Sequence, residues 1–157
     1  MRIDVGIGGY AVVNKNSESI KTYALGSCVA VVLHAPVRKA VGLIHIALPD
    51  SKGHDDKAAK LPGYFTDTGM EKLWAEMGKI GATGGSIVAK MIGGASVLAD
   101  NGTFDIGRRN VLSVKKWLWA KGIGLMKEDT GGTSSRTVEA FTNGRVVVST
   151  GKMAREL

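Results

Sequence analysis

The chain has 157 residues, 44% hydrophobic and 22% charged, with one cysteine and a formal net charge of +7. These values fit a single soluble domain over 1–157 that buries a core; no stretch approaches the roughly 20 apolar residues of a membrane helix, which argues against membrane insertion. Met1-Arg-Ile-Asp-Val lacks the pattern of a signal peptide, so a cytoplasmic location, where a lone thiol stays reduced, is expected.

Residues 3–13 alternate loosely around Gly6, Gly8 and Gly9 and are read as a first strand. These glycines lack phosphate-loop spacing and no helix follows, so they mark bulges or close backbone approaches. A polar turn over 14–18 leads to a second strand, 19–23, which carries Thr22. The β-favouring run 29–33 follows Gly26-Ser27-Cys28, and a further apolar run, 40–48, carries His45. The turn between the two runs, 35–39, makes them an antiparallel pair.

Register decides whether the thiol and the imidazole meet. A loop of 36–37 sets Cys28 directly opposite His45, with Cβ atoms roughly 5 Å apart. A loop of 36–39 makes His45 a diagonal neighbour at about 7 Å. An odd-length loop would throw His45 to the other face. His34 shares the parity of Cys28 but lies beside the turn, as an exposed strand-end residue.

Residues 50–63 are rich in Asp, Lys, Gly and Pro and are read as an exposed loop. Within it, three adjacent potential ligands, His54-Asp55-Asp56, cannot easily close a four-coordinate metal cage, so no metal or other cofactor is expected. Thr68-Gly-Met-Glu71 fits a capping box for a helix whose Met70, Leu73, Trp74 and Met77 form one apolar stripe. Residues 86–92 read as a buried strand closed by Gly93-Gly94-Ala95-Ser96, and a polar, glycine-containing gap runs to Gly107. Asn110 is the expected N-cap of a helix over 111–121, with Gly122 at its C-terminal end. A short strand, 123–127, precedes Asp129-Thr-Gly-Gly132, and a hairpin of 136–141 and 145–150 turns at Asn143-Gly144. Seven or eight strands, two principal helices and hairpins towards both ends give an α+β fold.

A cysteine beside a histidine has two readings. The pair is a small buried hydrophobe next to a satisfied core histidine, or it is a nucleophile whose thiolate the imidazole favours and whose leaving group the imidazole protonates. The basic residues are scattered; they serve solubility or steer the protein to an acidic partner. Nucleic acid is disfavoured as that partner, because aromatics are few and no recognition motif is present.

Leu25-Gly-Ser-Cys-Val-Ala-Val31, and His45 followed by Leu48-Pro-Asp50, resemble the CheD family of chemoreceptor glutamine deamidases. The resemblance continues through Tyr64-Phe-Thr-Asp-Thr68, Ile92-Gly-Gly-Ala-Ser96, Ile106-Gly-Arg-Arg-Asn110 and Glu128-Asp-Thr-Gly-Gly132. It implies a layered sandwich of two β-sheets with two main helices packed on one side, similar to the cytotoxic necrotizing factor-type deamidase fold. It implies a protein-glutamine amidohydrolase acting on glutamines of methyl-accepting chemotaxis receptors, with a CheC-type phosphatase as partner. Cys28 would then be the nucleophile, His45 the general base and acid, and Thr22 the third member. The backbone N–H of Cys28 is an oxyanion donor candidate, with Gly26 and Ser27 forming the oxyanion or substrate loop; a second donor is sought near Gly94 or Gly131. Structural roles are expected for Arg109, Asn110 and Asp129. The alternatives are another Cys-His amidase and a non-catalytic basic binding module. A hyper-reactive Cys28 near neutral pH would favour an enzyme, an inert one the module.

Overall fold

The computed structural model describes residues 1–96 and 105–157. Two five-stranded sheets and a helical layer are stacked in it. The first sheet has the order β1 (Arg2–Val5), β3 (Ser19–Leu25), β8 (Arg136–Phe141), β9 (Val146–Thr150), β10 (Met153–Glu156). The second has the order β2 (Tyr10–Val13), β5 (Ala40–Ile46), β4 (Val29–Ala35), β6 (Val88–Gly93), β7 (Gly124–Thr130). Helices α2 (Thr66–Lys79) and α3 (Ile106–Lys121) lie on the outer face of the second sheet, and a short α1 (Asp55–Lys60) sits in the connection before them.

The second sheet is therefore buried on both faces, which explains why β4 is a continuous apolar run. Val29, Val31 and Leu33 point to the helices, where they meet Met70, Leu73, Met77, Val114 and Leu118. Ala30 and Val32 point to the first sheet, against Ile20, Leu25, Val138 and Val148. The alternation of β4 between two cores fixes its register, because a one-residue slip would exchange every side chain between them.

Several sequence expectations change. The first predicted strand is two strands in different sheets, separated by a corner at Gly6–Gly9 in which Gly9 N–H donates to the Gly6 carbonyl at 2.8 Å and Gly8 has φ +77°. The predicted loop 50–63 contains α1 and a 3₁₀ turn, Pro62–Tyr64. The capping box does not form: α2 starts at Thr66, and the Thr68 hydroxyl donates to the Pro62 carbonyl instead. Asn110 is not a helix cap. Asp105 caps α3, accepting from Arg108 N–H at 3.2 Å, and Asn110 lies more than a turn inside the helix, fully buried. The helix begins at Ile106, ahead of the expected Val111, and takes in Gly107, a poor helix former. It is needed for packing: a Cβ there would stand 2.5 Å from the Gly94 carbonyl oxygen. The expected polar gap before it includes 97–104, outside the described residues. A last strand, β10, was not anticipated; it pairs antiparallel with β9 at the sheet edge, and its four residues are all exposed, so they carry no alternation.

Candidate active site

The β4–β5 connection is the 3₁₀ turn Pro36–Arg38 closed by Lys39 in the left-handed region, with Ala35 paired to Ala40. This is the four-residue loop of the two even registers. Ala30 faces His45 and Val29 faces Ile46, so His45 is the diagonal neighbour of Cys28. Cys28 immediately precedes β4, is half-buried, and packs against the cluster between the sheets, the side on which His45 lies.

Thr22 reaches His45 from the opposite sheet. Both are buried, and Thr22 Oγ1 lies 2.6 Å from His45 Nδ1. The same hydroxyl lies 2.8 Å from the carbonyl of Val5, the residue paired with Thr22 on β1. A carbonyl only accepts, so the single hydroxyl proton goes to Val5 and the Thr22 oxygen must accept from Nδ1–H. That fixes the tautomer and leaves Nε2 with the free lone pair. Nε2 is buried with no hydrogen-bond partner among the described residues. An imidazole nitrogen left bare in a protein interior is costly unless a ligand or reacting group completes it.

The local chain is bent to make this meeting possible. In β3 the register shifts between Thr22 and Leu25, and Ala24 has φ +56°. The bulge lets both Thr22 and Leu25 face the interior despite their odd spacing. His45 is gripped on its backbone by the glycine corner: Gly8 N–H donates to its carbonyl at 2.8 Å, and its own N–H donates to the Gly9 carbonyl at 3.0 Å.

Three consecutive carbonyls of the Cys28 loop are each held. Gly26 accepts from Ala95 N–H at 2.8 Å, Cys28 from Gly94 N–H at 2.9 Å, and Ser27 from Asn110 Nδ2 at 2.9 Å. Gly93 and Gly94 both have positive φ, and a Cβ on Gly93 would stand 2.3 Å from the Cys28 carbonyl oxygen. In the two segments where a second oxyanion donor is expected, Gly94 N–H is engaged with the Cys28 carbonyl and Gly131 N–H donates to the Gly93 carbonyl at 3.0 Å. Asp129 is a brace, as expected, pairing with Arg136 at 3.3 Å and with Arg155, while Arg136 reaches the Gly93 carbonyl. Asn110 is the residue whose contact with the loop sequence reasoning missed; its bonds reach residues 83 and 63 positions away, which no local pattern shows.

Burial pushes the Cys28 thiol above its ordinary value, with its own backbone N–H acting weakly the other way. Burial likewise holds His45 down to about 4. Both shifts favour a neutral thiol beside a neutral imidazole over a pre-formed ion pair. In acyl transfer by this pair, proton transfer from Sγ to Nε2 would belong to the reaction step itself, so the resting reactivity of the thiol does not by itself separate an enzyme from a binding module.

The family model described as CheD chemotactic sensory transduction matches residues 47–150. The chain belongs to the CheD family. A Syntrophotalea carbinolica protein named as a probable chemoreceptor glutamine deamidase CheD is 50% identical over 85% of this chain and 84% of its own length. A Syntrophus aciditrophicus protein with the corresponding name, CheD 1, is 41% identical over 98% of this chain and 97% of its own. The Thermotoga maritima chemoreceptor glutamine deamidase CheD is 47% identical over 88% of this chain and 85% of its own. The family-model match begins two residues after His45, whereas the 98% alignment takes in the whole Thr22, Cys28 and His45 region. Among the described residues, no helix is long and apolar enough to cross a membrane.

Proposed function

We propose that this CheD protein is a cytoplasmic protein-glutamine deamidase that converts glutamines of chemotaxis receptors to glutamate with release of ammonia. The observation that carries the chemistry is the bare Nε2 of His45, made the basic nitrogen by the Thr22 hydroxyl and lying on the face that Cys28 shares. The names of the relatives supply the substrate class.

His45 Nε2 takes the Sγ proton as the sulfur attacks the side-chain carbonyl carbon of glutamine. The tetrahedral oxyanion is met by the Cys28 N–H, the donor on the nucleophile's own residue. Nε2–H then protonates the amide nitrogen, the C–N bond breaks, and ammonia leaves a thioester. Water, deprotonated by Nε2, attacks that thioester; the C–S bond breaks, the thiol recovers its proton, and glutamate is released. Thr22 orients the ring and stabilises imidazolium less than a carboxylate would, being neutral. A CheC-type phosphatase is the expected protein partner, and the basic surface suits an acidic receptor segment.

Incubation of receptor fragments with wild type and Cys28→Ala, followed by peptide mass spectrometry, tests the reading. Glutamine-to-glutamate conversion is expected with wild type alone. Conversion by the Cys28→Ala variant would overturn the mechanism, and a wild type inert on every receptor fragment would overturn the function.

A further inference from the structure

Asn110 Nδ2 donates to the Ser27 carbonyl at 2.9 Å and to the Ala47 carbonyl at 3.0 Å. Both partners only accept, so the amide orientation follows from the contacts. The two carbonyls flank the point where the β4–β5 ladder ends, at Val29–Ile46. Beyond that pair the strands no longer hold each other by backbone bonds, and one buried side chain from α3 joins them. Asn110 has no exposed surface, and its Oδ1 is buried without a hydrogen-bond partner among the described residues. A helix interior facing an apolar sheet would ordinarily carry Leu or Ala there; the buried amide is costly, and its two donors go to the loop ahead of the nucleophile and to the strand end after the base.

The Ser27–Cys28 peptide is planar and trans, so its C=O and N–H point in opposite directions. Fixing the Ser27 carbonyl on Asn110 therefore fixes where the Cys28 N–H points. That N–H belongs to the nucleophile's own residue, so it is a donor within reach of an oxyanion formed on the carbon that the Cys28 sulfur attacks.

We propose that Asn110 is a positioning residue that aims the Cys28 N–H as the oxyanion donor by holding the Ser27 carbonyl, and ties this loop to the strand end that carries His45. The proposal rests on the deamidase reading above.

Asn110→Ala removes both donors at a helical position that tolerates Ala. Its kcat for deamidation should fall about 10- to 100-fold with KM within about twofold, since misaiming a donor costs less than deleting it. Alkylation of Cys28 by iodoacetamide at mildly alkaline pH forms no oxyanion and should keep its rate within about twofold. Asn110→Ser, which retains one donor, should give an intermediate kcat and carries the same comparison if the Ala variant does not fold. A folded variant with wild-type kcat would overturn the proposal. So would deamidation and alkylation falling by the same factor in both variants, the mark of a merely structural residue. Failure of the deamidase reading shows itself separately, as a wild type that releases no ammonia or a Cys28→Ala that still does; either outcome also removes the proposal.

Discussion

The two ends of β4 each carry a histidine in their neighbourhood, and they are equipped differently. At the far end His34 stands about 20 Å from Cys28 along the strand, beside a cleft of about 570 Å³ lined by Asn16, Ser17, Glu18 and Lys39 among others. Its Nε2 lies 3.2 Å from the Thr142 carbonyl and must donate to it, and its ring packs beneath Gly144. At the near end, His45 has its Nδ1 held by Thr22 and its Nε2 bare. His34 also has one nitrogen committed, but no thiol shares its end of the strand, whereas His45 lies on the sheet face that Cys28 shares. The size of an adjoining cleft does not reveal that difference.

The largest effect should come from His45 itself. His45→Ala should lower ammonia release by at least about 10³-fold, in line with removal of one member of a nucleophile–base unit. A residual rate within tenfold of wild type would remove the distinction between the two ends. Next is Gly93→Ala, where the Cβ would collide with the Cys28 carbonyl in a left-handed backbone position. We expect a loss of about 2–4 kcal/mol in urea unfolding, together with displaced catalysis. Unchanged stability would mean that the Cys28 loop is not held as described. Thr22→Val keeps the shape but strips the hydroxyl from Val5 and His45; kcat should drop about 10- to 100-fold and leave a measurable remnant.

Smaller, but sharper, is the pH dependence. His45 is lowered by burial from 6.5 to about 4, so the folded form stays neutral where the unfolded chain takes up a proton. The stability linked to this group is complete above pH 6.5 and declines as pH falls toward 4, by about 3 kcal/mol at most. Urea unfolding of wild type and His45→Gln across that window should show the wild type losing the extra increment. The acid limb of kcat/KM should inflect near 4; an inflection near 6.5 would mean an exposed, ordinary imidazole. The smallest effect belongs to His34→Ala, which should leave deamidation within about twofold while costing about 1 kcal/mol of stability for the lost contact to Thr142.

Much of this site was legible in advance because strand parity is a strong constraint. Cys28 and His45 fall on one face under either even loop, and the turn at 36–38 delivers one of them. The two main helices followed from periodicity, and their place outside a two-sheet sandwich only from family resemblance. The glycine corner at Gly6–Gly9 was harder, since a single alternating run gives no sign that its halves enter different sheets. Thr22 was legible only by resemblance; the bulge at Ala24 that turns it inward has no residue signature, because the left-handed position is filled by alanine. Asn110 was misassigned for a local reason: Asn is a good helix cap, and its bonds to Ser27 and Ala47 span 83 and 63 residues of sequence. The roles of Gly94 and Gly131 were hidden for the same reason, as their N–H groups bond residues distant in sequence.

The proposed mechanism passes through a covalent thioester between Cys28 and the glutamine side chain. Running the reaction on a receptor fragment in the presence of hydroxylamine tests it, because a thioester is intercepted to give a hydroxamate at the target glutamine. Hydroxamate formation by wild type and none by Cys28→Ala is the predicted result. Glutamate formed by wild type with no hydroxamate at any hydroxylamine concentration would contradict it.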